Sequence, residues 1–273
     1  MRQTIKTGLA AAILAACMAG TAAAGPFEDA AAASKSGDYA TALRIWRPLA
    51  DQGDLNAQVA LGVMYDEGQG VPRDYSQAAK WYRLAAEHGH AGAQYRLGSM
   101  YDLLGGLPLD YAEAAKWYRL AADQGDVGAQ FNLGLNFYIG QGVPQDYAEA
   151  ARWFRLAAEQ AHIGAQYRLG EMYNTGQGVS QDYVAAAKWW RLAAERGNAG
   201  AQASLGDMYH EGRGVPQDYV EAHKWYNLAV AQFSTSAGTI RGFLVQSRDS
   251  LAAKMTPAQI AEAQKLAREW KPK

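Results

Sequence analysis

The sequence contains only one cysteine, and neither positive nor negative side chains are in excess. Both features exclude classes of structure or partner. Its single cysteine, Cys17, lies near the start of the chain, so the remainder can form no intramolecular disulfide. The 26 basic and 27 acidic side chains nearly cancel, and neither sign occurs in a long run. A nucleic-acid partner requires a basic surface that displaces counterions from phosphates, so the balanced charge argues against that partner.

Long hydrophobic runs are also missing. The apolar run at residues 8–19 is too short to span a membrane. Arg2 and Lys6 precede this run, and the small residues 22–24 follow it. A positive start, an apolar centre and a small-residue cleavage site are typical of a secretory signal peptide. We therefore predict that residues 1–24 are a signal peptide and that the protein is exported, to the periplasm or beyond the cell.

A second interpretation of this leader stays open. Residues 14–17, Leu-Ala-Ala-Cys, resemble the lipobox at which bacterial lipoproteins are cut and acylated. Residues 18–26 would then form a flexible tether, because small residues dominate them. Under this alternative Cys17 carries a lipid that anchors the protein to a membrane.

An internal repeat fills most of the remaining chain. Residues 55–90 return four more times, each copy 36 residues after the one before, with no insertion or deletion. The later copies are residues 91–126, 127–162, 163–198 and 199–234. Alanine-glutamine, leucine-glycine, aspartate-tyrosine and a tryptophan return in register. Self-similarity of this length and regularity predicts a solenoid array.

Each repeat is predicted to form two helices. Apolar side chains recur at helical spacing over residues 56–67, and Gly68 is suited to the left-handed C-terminal cap. The second helix covers about residues 75–88, with Asp74 as N-cap and Gln77 at the position that completes a capping box. The second helix carries the recurrent tryptophan, which we expect in the core. Its copies are Trp81, Trp117, Trp153, Trp189 and Trp225.

A glycine returns in the middle of each first helix, where it costs about 1 kcal/mol relative to alanine. Its copies are Gly62, Gly98, Gly134, Gly170 and Gly206. Retention of an unfavourable residue in every copy indicates that two helices approach closely there.

The two ends of the array depart from the repeat. Residues 27–54 are a degenerate copy, as expected of a terminal unit that faces solvent on one side. Residues 235–273 leave the period, and their apolar spacing predicts two helices that form a C-terminal helical cap. The second of these helices begins with Thr256 as N-cap and Pro257 at the first helical position.

The pattern Ala-Gln-x-x-Leu-Gly-x-Met-Tyr-x-x-Gly-x-Gly-Val-x-x-Asp-Tyr-x-x-Ala-x-x-Trp-Tyr resembles the Sel1-like repeat. That resemblance implies an all-α fold, a right-handed α-solenoid of helix-turn-helix repeats related to tetratricopeptide arrays. It also implies protein–protein scaffolding, often in bacterial envelopes and signalling, without family-wide catalytic residues. Some Sel1-like proteins are rich in disulfides and linked to antibiotic hydrolysis; this chain lacks their cysteines, and that activity is not carried over.

Positions that differ between copies are those that the fold leaves free, and they cluster on the first helix. In helix-pair solenoids the first helices line the concave surface, so these positions would form a groove for a partner segment. Arg96 and Arg168 are the predicted polar anchors. The other candidates are Ser99, Asn132, Leu135, Glu171 and Asp207. The competing interpretation is neutral drift on a solvated surface.

Two neighbouring copies carry unusual apolar residues near the end of the first helix. These residues are Leu103, Leu104, Tyr138 and Ile139. An exposed apolar patch there would be an interaction site, while the alternative is a locally repacked core.

No chemistry-bearing motif accompanies these features. The five histidines form no metal-ligand motif, and no glycine-rich segment lies between a predicted strand and a helix. We expect no enzyme activity, no cofactor and a monomeric protein. The sequence favours an exported scaffold for protein–protein interactions in the bacterial envelope, an adaptor or regulator of a signalling or secretion assembly. The alternative is a module that binds an envelope polymer, peptidoglycan or exopolysaccharide.

Overall fold

A computed structural model describes residues 25–102, 107–233 and 238–273. These ranges contain fourteen α-helices and no strand, so the predicted all-α fold is confirmed. None of the helices in the described part of the chain is long and apolar enough to cross a bilayer. The chain divides between Asp110 and Tyr111 into two compact units.

The first unit contains five helices. They are α1 (Pro26–Lys35), α2 (Tyr39–Asp51), α3 (Leu55–Glu67), α4 (Tyr75–Glu87) and α5 (Ala91–Asp102). Each helix packs against the next one along the chain. Trp46 of the degenerate copy is buried and lies 5.9 Å from Phe27 between ring centroids. Its ring joins Leu61, Met64 and Trp81 in one apolar cluster. The degenerate copy therefore fills the open end of the core in this unit.

The second unit contains nine helices. They are α6 (Tyr111–Asp123), α7 (Val127–Ile139), α8 (Tyr147–Glu159), α9 (Ile163–Thr175), α10 (Tyr183–Glu195), α11 (Ala199–Glu211), α12 (Tyr219–Gln232), α13 (Gly238–Ala252) and α14 (Pro257–Glu269). Helices α6 to α12 again pack in sequence as helix pairs.

The last two helices form the predicted cap of the second unit. Both pack on α12, where Leu244 and Leu251 of α13 are buried in a cluster that includes Tyr226. Beyond α14, Trp270 packs against the core around Trp190. The backbone N–H of Lys273 donates to the carbonyl of Glu195 at 2.9 Å, and its ammonium lies 2.7 Å from the same residue's carboxylate. Apolar contact and terminal hydrogen bonds thus close the core of the last repeat.

The repeated glycine faces an aromatic ring of the second helix in its own repeat. A Cβ built on Gly62 would lie 2.5 Å from the Tyr82 ring, and one on Gly170 would lie 2.5 Å from the Trp190 ring. At Gly134 and Gly206 the corresponding distances to Phe154 and Tyr226 are 2.7 and 2.8 Å. The predicted close approach of two helices is therefore confirmed at these four glycines.

A glutamine at the start of each first helix links consecutive repeats. Its buried side-chain amide donates to a carbonyl near the end of the preceding second helix, at 3.0–3.2 Å. The donor–acceptor pairs are Gln58–Ala50, Gln94–Ala86, Gln130–Ala122, Gln166–Ala158 and Gln202–Ala194. This bond explains why the glutamine of the alanine-glutamine pair returns in every copy.

The predicted helix ends are confirmed, with one correction. Gly68 has a φ of 71° at the end of α3, and Asp74 accepts a hydrogen bond from the Gln77 N–H. The capping box predicted at Asp74 is incomplete because the Asp74 backbone N–H is already bonded to the Tyr65 carbonyl, and at the equivalent Asp218 the N–H is likewise bonded to the Tyr209 carbonyl. The carboxylate of Glu221 binds Lys224 and Trp225 instead. Thr256 and Gln259 form both bonds of the box.

Two histidines serve as N-caps. His90 Nδ1 accepts from the Ala93 N–H at 3.2 Å, and His162 Nδ1 accepts from the Ala165 N–H at 3.1 Å. Asp126 caps α7 through the same bond. A ring nitrogen accepts only when it is unprotonated, so both caps require an uncharged Nδ1.

The recurrent tryptophan is buried in three copies. Trp81, Trp153 and Trp225 are at most 8% exposed, as predicted for core residues. Trp117 and Trp189 are only half-buried. The indole N–H of Trp117 donates to Glu113 at 3.0 Å, and that of Trp225 donates to Glu221 at 3.0 Å. The position therefore belongs to the core in some repeats and to its border in others.

Candidate functional site

Variable residues of the second unit line a polar depression of about 250 Å³. Three first helices contribute to it: α7 through Tyr138, α9 through Glu171, and α11 through Asp207. The remaining lining residues are Asn174, Thr175, Gln177, Trp190, Ser204, Met208 and Arg213. Two of the seven predicted groove residues, Glu171 and Asp207, therefore meet at one place.

Arg168, a predicted anchor, stands beside the depression and has partners within the chain. Its guanidinium lies 2.9 Å from the Glu171 carboxylate, three residues further along α9. The same group lies 5.9 Å from the centre of the Tyr138 ring and 6.0 Å from that of Tyr167. Burial, reinforced by the nearby Glu171 charge, raises the pKa of Tyr167 to about 12. Arg168 is thus held in place before any partner arrives.

Tyr138 belongs to this polar site. Its hydroxyl donates to Gln177 at 3.2 Å, and its ring meets Tyr147 edge-on with centroids 5.3 Å apart. The next residue, Ile139, is 60% exposed. Leu103 and Leu104, the other members of the predicted apolar patch, lie outside the described residues. Tyr138 is therefore half-buried and hydrogen bonded, in contrast to the exposed Ile139.

Asp207 is exposed to solvent and also accepts a hydrogen bond from the buried Tyr226. The Tyr226 hydroxyl donates to its Oδ1 at 2.6 Å. Solvent reaches Asp207, yet surrounding protein desolvates the carboxyl and raises its pKa, against the opposing effect of the Tyr226 bond. Within the described ranges no Lys, Arg or His nitrogen lies within 4.0 Å of this carboxylate. Its charge therefore lacks a close counter-ion.

The other predicted groove residues do not line the depression. Asn132 and Leu135 are half-buried on α7. Arg96 and Ser99 belong to the first unit, on α5. There the Arg96 guanidinium lies 4.0 Å from the carboxylate of Asp66.

Sequence comparison missed several residues of the site. Gln177 and Arg213 come from the Gly-x-Gly loop after the first helix, which was treated only as a turn. Arg213 replaces the glutamine found at this loop position in three other copies, and that substitution was an available signal. Trp190, whose ring packs against Gly170, lines the depression as well.

The site offers hydrogen-bonding and charged groups rather than a metal centre. In the described part of the chain no three His, Cys, Asp or Glu side chains come together in a group that could hold a metal ion. The lining supplies carboxylates, amides, hydroxyls and a guanidinium, together with the aromatic rings of Tyr138 and Trp190. Such groups are suited to recognising polar side chains and exposed backbone.

These contacts define the class of protein: it is an α-helical repeat protein in which constant residues join the repeats, and in its second unit variable residues line one depression. The family model described as Sel1 repeat matches residues 55–90, 91–126, 127–162, 163–198 and 199–232. The chain belongs to the Sel1 repeat family. This repeat fold is generally a protein–protein interaction scaffold, and its family is typically non-enzymatic.

The solved structures that are similar to this chain include two that are at least 30% identical to it. A Sel1 repeat protein from Oxalobacter formigenes is 30% identical, with 90% of this chain and 100% of that chain covered and a TM-score of 0.76. The protein c5321, a protective antigen of uropathogenic Escherichia coli with an SLR fold, is 37% identical with a TM-score of 0.72. That match covers 84% of this chain but only 49% of the antigen, so this chain spans about half its length. A comparison with curated proteins found no match.

Proposed function

We propose that this protein is an exported scaffold that binds a segment of another protein in the bacterial envelope. In this role it acts as an adaptor or regulator of a signalling or secretion assembly. The observation that carries the proposal is the polar depression, where variable residues from three successive repeats meet. Fixed scaffold residues hold these helices, so the site is formed before the partner binds and little ordering entropy opposes binding.

The groups around the depression can exchange their internal partners for external ones at low cost. The Arg168–Glu171 pair is partly solvent-exposed on both sides, and exposed ion pairs contribute only about 0–1 kcal/mol. A partner that offers a carboxylate to Arg168, or a donor to Glu171, therefore loses little by opening the pair. Tyr138 supplies the aromatic area that binding sites commonly use as an anchor.

Export is proposed from the leader, supported by one relative. The first 24 residues have the layout of a signal peptide. The similar protein from Escherichia coli is described as a protective antigen, and we take that description as support for a location outside the cytoplasm. On these grounds we propose a periplasmic or extracellular location.

Affinity capture from envelope extracts tests the proposed function. The full chain is compared with Glu171→Arg and with Arg152→Ala as the matched control. Arg152 forms a similar pair with Glu149, at 3.3 Å on the second helix α8. We expect a protein partner that wild type and Arg152→Ala retain and Glu171→Arg loses. Equal recovery on the wild type and both variants would remove the depression from the proposal.

Co-sedimentation with purified peptidoglycan and exopolysaccharide tests the alternative function. If the protein is a scaffold for protein–protein interactions, we expect the purified protein to stay in the supernatant. Sedimentation that Glu171→Arg abolishes, without any captured protein, would replace the scaffold by a polymer-binding module.

The lipid alternative has its own test. Cells that produce the full chain are labelled with an azido fatty acid, with Cys17→Ser as control. Cleavage after the alanine run predicts no label on either protein. Label on the wild type alone would establish a lipid anchor at Cys17.

A further inference from the structure

We propose that the depression receives one lysine or arginine side chain of the bound segment, with Asp207 as its counter-ion. This inference rests on the proposed function, because it names the chemistry by which the partner segment is recognised. Two features of the second unit support it, the unmatched charge of Asp207 and the size and lining of the depression, and a similar arrangement in the first unit offers a comparison.

The two arginines at the site and its border are already paired. Arg168 binds Glu171 at 2.9 Å, and Arg213 forms an ion pair with Glu211. The site and its border thus hold three carboxylates against two guanidiniums, and Asp207 carries the excess negative charge. His210 and Arg213 attract this carboxylate from a longer range, while Glu211 opposes them. One added cation would balance the site.

The first unit contains a similar arrangement with the cation present. The Tyr82 hydroxyl donates to Asp66 at 3.4 Å, as Tyr226 donates to Asp207 at 2.6 Å. Arg96 lies 4.0 Å from the Asp66 carboxylate and comes from the first helix of the following repeat. The two tyrosines are equivalent in the repeat, whereas Asp66 lies three residues further along its helix than Asp207, whose equivalent in the first repeat is Val63. Among the described residues, Asp66 has a nearby guanidinium beside its tyrosine, and Asp207 has the tyrosine without such a cation.

The depression has the size of one side chain. Its volume of about 250 Å³ lies below the range of roughly 300–1,000 Å³ typical of pockets for whole small ligands. Oxygen atoms of Glu171, Thr175 and Ser204 provide further acceptors for an ammonium or guanidinium group. The Tyr138 ring adds a face of the kind that attracts cations, as its neighbour Arg168 already illustrates.

Selection of peptides from a random displayed library tests the inference on the full chain. We expect the peptides bound by the wild type to share one lysine or arginine. Asp207→Asn keeps the acceptor for Tyr226 and removes only the charge, so it should weaken these peptides about ten- to a hundredfold. Replacing the shared basic residue of a peptide by glutamine should cause the same loss, and the two changes together should cause little more.

Two further variants make the outcome decisive. Glu149→Gln removes a carboxylate of α8 that is paired with Arg152 and does not line the depression, and it should change peptide affinity less than twofold. Asp207→Glu keeps the charge and should retain more affinity than Asp207→Asn. Thermal unfolding of each variant separates lost binding from lost structure.

Different failures are distinguishable. Peptides that depend on Tyr138, tested as Tyr138→Ala, but show no basic residue and no response to Asp207→Asn would overturn this inference and leave the scaffold function standing. If no selected peptide depends on Tyr138 or Asp207, both the inference and the proposed binding surface are wrong.

Discussion

Each first helix of the second unit has one face packed against its repeat and another that reaches the surface. Contacts on the packed face are the same in successive repeats, whereas residues on the open face differ. On the packed face the same contacts recur, with a glycine under an aromatic ring and a glutamine bonded to a carbonyl of the preceding repeat. On the open face, equivalent positions carry Glu171 with an internal arginine and Asp207 without a close one. Repetition therefore maintains the spacing of the helices, while individual repeats set the charge of the surface.

The largest contrast between the faces is expected from two adjacent residues of α9. Gly170→Leu places side-chain atoms where the Trp190 ring lies, and such overpacking costs about 1–3 kcal/mol. Glu171→Gln on the open face should change the free energy of unfolding by less than about 0.5 kcal/mol. Urea denaturation at neutral pH measures both. Equal effects would mean that the two faces are not distinguished by packing.

A smaller effect is expected from the glutamine that joins repeats. Gln202→Met removes the bonds that its side chain makes with the Ala194 carbonyl and with Gln232. Because the Ala194 carbonyl keeps a backbone partner, the loss should be about 1 kcal/mol. Gln217→Met, on an exposed glutamine bonded to the His210 carbonyl, is the control and should have a smaller effect. A larger loss in the control would contradict the role assigned to the buried bond.

The histidine cap of α9 should make stability depend on pH. Partial burial lowers the pKa of His162 below its ordinary value of 6.5, so the unfolded chain binds a proton more readily than the folded one. The free energy of unfolding therefore falls as pH drops below about 6.5 and levels off below the folded pKa. His162→Asn, the residue found at the equivalent cap Asn198, should reduce this slope. Thermal unfolding from pH 7.5 to 5 measures this pH dependence of stability. An unchanged slope in His162→Asn would show that the histidine cap does not contribute to it.

The smallest expected effect concerns the open face itself. Asp207→Asn should leave stability unchanged or raise it by a few tenths of a kcal/mol, since burial already disfavours the charged form and asparagine still accepts from Tyr226. Asp66→Asn loses the attraction of Arg96 and should be slightly destabilising. Opposite signs for the two variants would sharpen the comparison between the units. A clear loss of stability in Asp207→Asn would show that its charge is satisfied within the fold.

Local features were predictable because they depend on neighbouring residues. The glycine at the end of α3 and the N-cap at Asp74 follow from backbone geometry over a few positions. The pairing of Arg168 with Glu171 was also within reach, because residues three apart share a helix face. Treating Arg168 as a free anchor overlooked that spacing.

Other contacts depend on residues far apart in the chain. Tyr226 reaches Asp207 across 19 positions, and Tyr138 reaches Gln177 across 39. The N-cap role of His90 and His162 was hidden for a different reason. Their alignment with Asp126 and Asn198 was visible in the sequence, but histidine caps a helix only through an unprotonated Nδ1.

By itself the sequence determined the repeat, its two helices, the close approach at the mid-helix glycine and the terminal cap. These features follow from periodicity and backbone preference, which act over one or two turns of helix. Only the tertiary structure decided which variable residues share a depression and which carboxylate lacks a cation. Those outcomes depend on how far helices of successive repeats are offset, and an offset of a few ångströms decides whether two charges pair.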